Sequence, residues 1–267
     1  MLFSIIIITL NEQSNIESTI RAARKSARIR KNKSLSNEII ISDGGSNDGT
    51  LEIAKKLADR VIHSQKGRYI QLNSGAKVSK GEILVFLHAD TILPKGAILR
   101  LFKEMKNPCI IGGGFKKKWR WDTDVKLTSF MKFIFYIWSG FGNWIVRLTK
   151  AFPGDNVIFI RKTIFEKIGG FRPLWVCEDF DMSLRLKKYA RKRICKSFKQ
   201  RSKFICMRHA IQTSTRRFEK YGFFKTFYMW FFIYWMWRLG MSSERLKEKF
   251  NKYSIIPEKG EKKIVRF

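Results

Sequence analysis

The sequence predicts an α/β protein in which a mostly parallel central sheet is flanked by helices and followed by a helical C-terminal extension. Three apolar runs of strand length occur early in the chain, at residues 3–10, 38–41 and 82–87. Helical patterns lie between these runs, which is typical of a parallel, doubly wound sheet. Each run ends in polar side chains, at the carboxyl edge where open α/β sheets bind their ligands.

The first strand, from Phe3 to Leu10, is almost entirely apolar and is followed at once by Asn11 and Glu12. No basic region precedes it, so we expect a strand rather than a signal peptide. A helix is predicted from about Ser14 to Ala27. A dehydrogenase of the NAD type would carry a glycine-rich G-x-G-x-x-G fingerprint after this strand, and its absence disfavours that class.

The second strand, Glu38 to Ile41, leads into Asp43 and a glycine-rich turn. Asn47 or Asp48 is predicted to cap the next helix, whose apolar positions follow directly. Two interpretations of the turn stay open here. Asp43 either contacts a ligand at the sheet edge, or the acids serve only as turn and cap.

The third strand, Glu82 to Leu87, ends in His88, Ala89 and Asp90. Asp90 offers the oxygen ligand that hard cations such as Mg²⁺ or Mn²⁺ prefer, and a cation there could bridge to a diphosphate. His88 either ligates the same cation or packs as a hydrogen-bonded residue at the strand end.

Further motifs follow in the second half of the chain. Glu178 and Asp179 are predicted to open a helix from Phe180 to Tyr189, where carboxylates are also favoured by the helix dipole alone. The segment 153–156 precedes a predicted strand at 157–160, and it lines a site or forms a plain turn. The Arg68 guanidinium, after Gly67, is suited to bidentate hydrogen bonds with diphosphate oxygens. The alternative is that Arg68 is a solvated arginine at the start of a helix.

Together these motifs resemble the family 2 glycosyltransferases of GT-A fold, over roughly residues 1–220. The similarity is closest to a small bacterial subgroup associated with arsenosugar biosynthesis. The motifs that carry it, in order, are Thr9-Leu10-Asn11-Glu12, the Asp43 turn, Gly67-Arg68-Tyr69-Ile70-Gln71-Leu72-Asn73-Ser74-Gly75-Ala76, His88-Ala89-Asp90-Thr91, Pro153-Gly154-Asp155-Asn156 and Glu178-Asp179. The usual family pattern is Asp-x-Asp, and this chain has His88 in place of the first acid.

The resemblance implies an inverting, metal-assisted transfer of a sugar from a nucleotide-diphosphate sugar, with a UDP-sugar as the expected donor. It implies that Asp179 is the catalytic base, with Glu178 beside it, and that Asp90 binds Mg²⁺ or Mn²⁺. The expected acceptor-side residues are Gly154, Asp155 and Asn156. The expected donor-nucleotide-binding residues are Thr9, Asn11, Glu12, Asp43, Gly44, Arg68, Asn73, His88, Ala89, Asp90, Arg216 and Arg217.

Arg216 and Arg217 belong to a segment, Ser214 to Phe218, that resembles the subgroup's Arg-Arg-Trp motif with Phe218 in place of Trp. The resemblance implies that these arginines reach the pyrophosphate from a mobile C-terminal segment. A charge run on a solvated helix is the alternative. A relative that binds sugar nucleotides without catalysis is disfavoured by the presence of Asp43, Asp90 and Asp179.

The chain of 267 residues shows no linker of low complexity. We therefore predict a glycosyltransferase domain at 1–215, with a nucleotide-binding half at about 1–92 and an acceptor half at about 93–215. A helical, aromatic and basic extension is predicted at 216–267.

The formal net charge of +32 has two interpretations: the protein binds an anionic partner, or most of its Lys and Arg side chains lie on solvated faces. Nucleic acid, an anionic membrane surface and anionic substrates are the candidates. No nucleic-acid-binding signature accompanies the charge, so no specific nucleic acid is expected. Four cysteines without CxxC spacing are expected to be buried, reduced thiols of a cytoplasmic protein.

Two aromatic stretches free of charged residues, 133–146 and 226–237, fall short of the ~20 apolar residues that a membrane span requires. Packed helices explain both. The second stretch, bracketed by Lys225 and Arg238, also suits a helix in a membrane interface, and the first does so less well. We expect an enzyme on the cytoplasmic side, in peripheral contact with the inner face of the membrane, with lipid-linked hydroxyls among its candidate acceptors.

Overall fold

The computed structural model describes residues 1–30, 33–120, 129–152 and 156–254. The strands are β1 (Phe3–Thr9), β2 (Arg28–Arg30), β3 (Lys33–Ser34), β4 (Asn37–Asp43), β5 (Arg60–His63), β6 (Ile83–His88), β7 (Thr91–Ile92), β8 (Ile110–Arg120), β9 (Ile158–Arg161), β10 (Ile194–Cys195), β11 (Gln200–Arg201) and β12 (Lys203–Ser214). The helices are α1 (Gln13–Ser26), α2 (Thr50–Leu57), α3 (Arg68–Val78), α4 (Ala97–Met105), α5 (Ser129–Thr149), α6 (Lys162–Lys167), α7 (Glu178–Lys192), α8 (Arg216–Tyr221), α9 (Phe223–Arg238) and α10 (Ser243–Ser254).

The central sheet has the strand order β5-β4-β1-β6-β9-β8-β12-β7. Its first four strands are parallel, as the alternation of apolar runs and helical patterns predicts. Strand β9 then runs antiparallel to both β6 and β8, while β12 is parallel to β8 and antiparallel to β7. The mostly parallel α/β sheet is confirmed, and the antiparallel strand β9 joins its two halves.

Strand β1 lies near the middle of the sheet and is buried along its whole length. Because successive side chains of a strand point to opposite faces, it supplies both layers of the core. Ile5 and Ile7 pack in the layer that also contains α1 and α4 residues, and Ile6 and Ile8 pack in the layer on the other face. Helices therefore cover both faces, as expected for a parallel sheet.

The prediction that all cysteines are reduced is wrong for one pair. Cys109 and Cys195 form a disulfide, with Cα atoms 5.1 Å apart and a sequence separation of 86. Cys109 immediately precedes β8 and Cys195 lies in β10, so the fold brings together two thiols whose sequence spacing gives no sign of pairing. Cys177 and Cys206 are free thiols.

The chain divides into two compact units, Met1–Arg216 and Arg217–Phe267. The second unit contains α9 and α10, and Lys249 lies over the ring of Phe232 at 5.7 Å. Aromatic side chains of α9 stack on each other along the helix, as in the pair Tyr228 and Phe232. Within the described ranges, every helix is too short or too polar to cross a bilayer.

Candidate functional site

The ends of three parallel strands lie level at one edge of the sheet. Thr9 at the end of β1 is in register with Asp43 at the end of β4, and Ile8 is in register with His88 at the end of β6. The sheet therefore brings the polar residues that follow each strand to one crevice, where open α/β sheets bind ligands.

The turns after β1 and β4 are joined by reciprocal hydrogen bonds. Asn11, in the left-handed region at φ 53°, donates its backbone N–H to Ser46 Oγ at 2.9 Å. The Asn11 side-chain oxygen accepts from the backbone N–H of Asn47 at 2.9 Å. The Glu12 N–H donates to Thr50 Oγ1 at 2.8 Å, at the start of α2. Asn11, a predicted donor-binding residue, thus holds the two turns together.

Asp43 is fully buried and organises its own turn. Its Oδ2 accepts hydrogen bonds from the backbone N–H groups of Gly45 and Ser46, both at 2.9 Å, and Oδ1 accepts from Ser46 Oγ. The Gly44 N–H donates to the Thr9 carbonyl at 3.0 Å. The structure therefore shows the turn role of Asp43, and its contact with a nucleotide base stays a prediction.

Thr9 carries a buried hydroxyl, Oγ1, that has no hydrogen-bond partner. Burying such a group without a partner costs about 1–3 kcal/mol. The orphaned oxygen lies where β1 ends, among the level strand ends. It is therefore a group that a bound ligand or water would satisfy.

Gln71 is a structural member of the site to which the sequence motif assigns no role. Its Nε2 donates to the carbonyls of Thr9 at 2.8 Å and Ser42 at 2.9 Å, so it bridges the ends of β1 and β4. It is buried on the sheet-facing side of α3. Its place in the motif at 67–76 is the signal in the sequence that could have found it.

Asn73 fastens α3 to the loop that precedes α7. Its side-chain oxygen accepts from the Phe171 N–H at 2.9 Å, and its Nδ2 donates to the Phe171 carbonyl at 2.8 Å. Gly170 is at φ 63°, and a Cβ there would lie 2.7 Å from Asn73 Oδ1. Asn73, predicted to bind the donor, therefore uses both ends of its amide on this loop.

The predicted catalytic pair opens α7, as the sequence indicates. Glu178 and Asp179 are both buried, and His88 Nε2 lies 3.6 Å from Asp179 Oδ2. Arg68 Nη1 lies 3.5 Å from Glu178 Oε1, so the guanidinium reaches the helix start from α3. The fold thus brings together residues from β6, α3 and α7.

Burial dominates the ionisation of Glu178. It raises the pKa of this carboxyl, with the Arg68 charge opposing the shift and the Asp179 charge adding to it. The neighbouring Cys177 thiol has its pKa raised to about 12, first by burial and then by the charges of Glu178 and Asp179. Cys177 is therefore a neutral thiol rather than a nucleophile.

Arg216 reaches the same edge from the end of β12. Its guanidinium makes a two-point ion pair with Glu12, at 2.6 Å from Nη2 to Oε1 and 3.2 Å from Nη1 to Oε2. Its Nη2 lies 4.0 Å from Asp90 Oδ2. Arg216 is therefore an exposed side chain that pairs with two predicted donor-site acids, and its contact with a pyrophosphate stays a prediction. The Arg217 side chain lies outside the described residues.

On the predicted acceptor side, Gly154 and Asp155 lie outside the described residues. Asn156 is 3% exposed, and neither of its amide atoms has a hydrogen-bond partner. Strand β9 begins two residues after Asn156 and pairs with β6, with Ile158 opposite Phe86. Ala89 is buried, and its carbonyl accepts from Thr19 Oγ1 at 2.6 Å.

The residues at the edge fit a divalent cation. Potential ligand atoms of His88, Glu178 and Asp179 all lie within 4.8 Å of one another, and Glu178 Oε2 is buried without a hydrogen-bond partner. Carboxylate oxygens suit Mg²⁺ and Mn²⁺, and imidazole suits several transition metals. Asp90, the predicted ligand, follows the same strand but is not in this group.

An open cavity of about 670 Å³ lies away from this edge, between α1 and α2. It contains none of the predicted site residues. Its cationic lining residues come from α1, β2 and α2, and are Arg21, Arg24, Lys25, Arg28 and Lys56. The predicted site residues lie instead at the level strand ends and at the start of α7, so we place the candidate site there and not in the cavity.

The chain is similar to known proteins in both sequence and structure. A model of the family described as glycosyl transferase family 2 matches residues 4–169. Among curated relatives, glycosyltransferase AglE of Haloferax volcanii is 35% identical over 94 residues, which covers 33% of this chain and 30% of AglE. The probable glycosyltransferase YdaM of Bacillus subtilis is 29% identical over 168 residues, covering 56% of this chain and 39% of YdaM. The chain thus spans well under half the length of these relatives.

Two similar solved structures have GT-A folds and nucleotide sugars bound. S. aureus TarS 1–349 in complex with UDP-GlcNAc has a TM-score of 0.57 at 16% identity, over 95% of this chain and 72% of that one. The mannosyltransferase PcManGT of Pyrobaculum calidifontis, in complex with GDP-Man and Mn²⁺, has a TM-score of 0.53 at 20% identity, over 79% and 56%. These similarities confirm the predicted fold.

Proposed function

The chain belongs to glycosyl transferase family 2, and from this premise we propose that it transfers a sugar from a nucleotide-diphosphate sugar to an acceptor hydroxyl with inversion. The observation that carries the proposal is the approach of β6 and α7. His88, at the level strand ends, lies 3.6 Å from Asp179, at the start of α7. A donor in the crevice would therefore lie beside a carboxylate suited to take a proton.

In the proposed reaction, Asp179 accepts the proton of the acceptor hydroxyl. The acceptor oxygen forms a bond to the anomeric carbon on the face opposite the diphosphate. The bond from that carbon to the phosphate oxygen breaks, and its electron pair leaves with the nucleoside diphosphate. Direct displacement of this kind inverts the anomeric centre.

The donor would be held by residues of the two N-terminal strand ends and by two arginines. Glu12 would accept from ribose hydroxyls and Asp43 from a pyrimidine N–H, as the resemblance to the family implies for a UDP donor. The guanidinium groups of Arg68 and Arg216 match diphosphate oxygens. Arg216 is paired with Glu12, so donor binding would exchange that ion pair for contacts with the diphosphate.

A divalent cation, Mg²⁺ or Mn²⁺, would be held by Asp90 together with His88 at the end of β6. When bound, it would neutralise charge on the departing diphosphate. The Mn²⁺ in the complex of PcManGT supports a divalent cation, and the ligand group around His88 supports its place at this edge, although that group joins His88 to Glu178 and Asp179 and does not contain Asp90. Asp179 keeps the role of base in this arrangement.

The acceptor side would include Gly154, Asp155 and Asn156. The orphaned amide of Asn156, buried two residues before β9, supports a contact with a bound group on that side. Membership of the arsenosugar-associated subgroup, a cytoplasmic location, a lipid-linked acceptor and membrane contact through 226–237 remain proposals from the sequence.

Calorimetric titration of UDP and UDP-sugars tests the proposal. The wild-type chain is expected to bind UDP more tightly in Mn²⁺ than in EDTA, and Asp90→Ala is expected to lose that difference. Glu166→Gln, which neutralises an exposed acid on α6, is the matched control. Equal UDP affinity in both buffers would exclude the metal, and failure to bind any nucleotide sugar would exclude the proposed function.

A further inference from the structure

Helix α5 carries its large apolar side chains on the outside of the catalytic unit. Several of its aromatic and aliphatic residues are between 49% and 78% exposed, which is unusual for side chains of this size. We define the α5 apolar face as Phe133, Tyr136, Ile137, Phe141, Trp144 and Leu148.

These residues share one side of the helix. Successive helical residues advance by ~100°, so positions spaced by three and four lie on one face. Phe135 and Val146, on the opposite side, are 4% and 7% exposed. Asn143 accepts from the Lys117 N–H at 2.9 Å and donates to the Lys117 carbonyl at 2.8 Å. The helix is therefore anchored to β8 through its inner side, and its apolar face points away from the protein.

The charges around this face select the partner. The sequence of α5 contains no acidic residue, while Arg147 is exposed near its C-terminal end. The whole chain carries a net charge of +32. Apolar and aromatic side chains with cations at the rim complement an anionic bilayer, in which rings enter the interface and cations meet the headgroups.

We propose that the α5 apolar face docks the catalytic unit on an anionic phospholipid bilayer. Because Asn143 holds the inner side on β8, the helix can offer only one face, and it lies flat in the interface. The sequence favours the aromatic stretch at 226–237 for this role. The α5 apolar face belongs to the unit that holds the site, whereas 226–237 belongs to the second unit.

The docked helix is connected to the candidate site. Lys187 Nζ donates to the Thr149 carbonyl at the end of α5 at 2.6 Å, and the Phe152 N–H donates to Ser183 Oγ at 3.2 Å. Lys187 and Ser183 belong to α7, whose first turn carries Asp179. Docking through α5 would therefore hold the proposed base close to the membrane surface, where a lipid-borne acceptor would be found.

Co-sedimentation of the full chain with vesicles of phosphatidylglycerol and phosphatidylcholine at low salt tests the proposal. The α5 variant Ile137→Gln/Phe141→Gln/Trp144→Gln is expected to lower vesicle affinity by about tenfold or more, because its polar side chains no longer transfer apolar surface from water into the bilayer. The α9 variant Phe224→Gln/Phe231→Gln/Trp235→Gln removes equally exposed rings and is the competing arm: a loss of vesicle affinity in this variant alone would assign the contact to 226–237 and overturn the α5 proposal. Both variants should keep the wild-type melting temperature, since the altered side chains are exposed.

A local readout accompanies the sedimentation. Vesicles containing brominated lipids should quench tryptophan fluorescence of the wild type, and Trp144→Phe should reduce that quenching while vesicle affinity is retained. Wild-type vesicle affinity in the α5 variant would overturn the proposal. Failure of the wild-type chain to bind anionic vesicles would overturn it as well. A wild-type dimer in analytical ultracentrifugation, abolished by the α5 variant without any vesicle binding, would instead assign the face to a second copy of the chain.

Discussion

Asp179 is the residue on which the proposed proton transfer depends. Asp179→Asn keeps the side-chain volume but removes the basic oxygen, so turnover should fall by roughly 10²–10⁴-fold while UDP affinity stays nearly unchanged. Steady-state kinetics and calorimetry on the same preparation measure both. Glu166→Gln serves as the control, and wild-type turnover in Asp179→Asn would remove this residue from the role of base.

Glu178 gives a pH-dependent prediction for stability. Its folded-state pKa is raised by burial, so the native state holds this proton more tightly than the unfolded chain does. Its contribution to stability is therefore fully present below the ordinary value of 4.5 and is lost as the pH rises through the folded-state pKa.

The substitution Glu178→Gln should raise the melting temperature at neutral pH, since the buried carboxylate is replaced by a neutral amide. The gain should shrink toward zero near pH 4, because the wild-type carboxyl is then protonated in the folded and unfolded chains alike. Thermal melts from pH 4 to pH 8 measure the trend, with exposed Glu166→Gln expected to show none. A lower melting temperature at neutral pH would mean that the ion pair with Arg68 outweighs the cost of burial.

Single residues also mark the limit of what the sequence can predict. The motifs contain Asp43, Gln71 and Asn73, but the hydrogen bonds of these side chains go to the protein itself. Asp43 bonds to its own turn, and Gln71 and Asn73 bond to backbone groups of other elements. Whether a motif residue contacts a ligand or the protein depends on which backbone groups lie opposite it. Those neighbours can come from distant parts of the chain, so the residue type alone cannot decide.

At the scale of elements, Asn73 predicts how α3 and α7 are coupled. Asn73→Ala removes two hydrogen bonds to Phe171, each with a net contribution of about 1 kcal/mol. The free energy of unfolding should fall by about 2 kcal/mol, and turnover should fall with it because the loop before Glu178 and Asp179 loosens. Urea denaturation and kinetics measure the two effects.

The control for this prediction is Ser74→Ala on the same helix, whose hydroxyl makes no hydrogen bond among the described residues. It should change stability by less than about 0.5 kcal/mol. If Asn73→Ala unfolds at the same urea concentration as Ser74→Ala, the link between α3 and the loop is not a stabilising one.

The sequence is a good guide to β1, β4 and β6 and a poor one to the rest of the sheet. Those three are uninterrupted apolar runs, buried on both faces, and such runs are visible locally. Strand β8 contains three consecutive glycines and then three lysines, and β12 pairs with it through two register shifts. Their pairing partners lie far away in sequence, so no local pattern reports them.

At the scale of the whole molecule, the disulfide of Cys109 and Cys195 should contribute measurably to stability. Replacing both cysteines by alanine should lower the free energy of unfolding by about 2–4 kcal/mol, mainly by releasing a constraint on the unfolded chain. Dithiothreitol should lower the melting temperature of the wild type and leave the double variant unchanged. Cys206→Ala, at a free thiol, is the control, and a wild type that does not respond to the reductant would contradict the prediction.

The predicted functional domain boundary after residue 215 remains a prediction. The contacts within the chain divide it between Arg216 and Arg217. The charge of +32 follows directly from the sequence, whereas its use does not, because solvated and partner-facing cations look alike in a sequence.

The antiparallel strand β9 has a consequence for how the chain folds during synthesis. Strands β1, β4, β5 and β6 can pair as soon as they leave the ribosome, but the neighbour that covers β6 is not made until Ile158 emerges. Until then the row Ile83–Leu87 is an apolar sheet edge with unpaired backbone groups, a template for aggregation. Slow translation or an early stop between β6 and β9 should therefore leave an insoluble nascent chain, one that binds chaperones at this edge until β9 closes it.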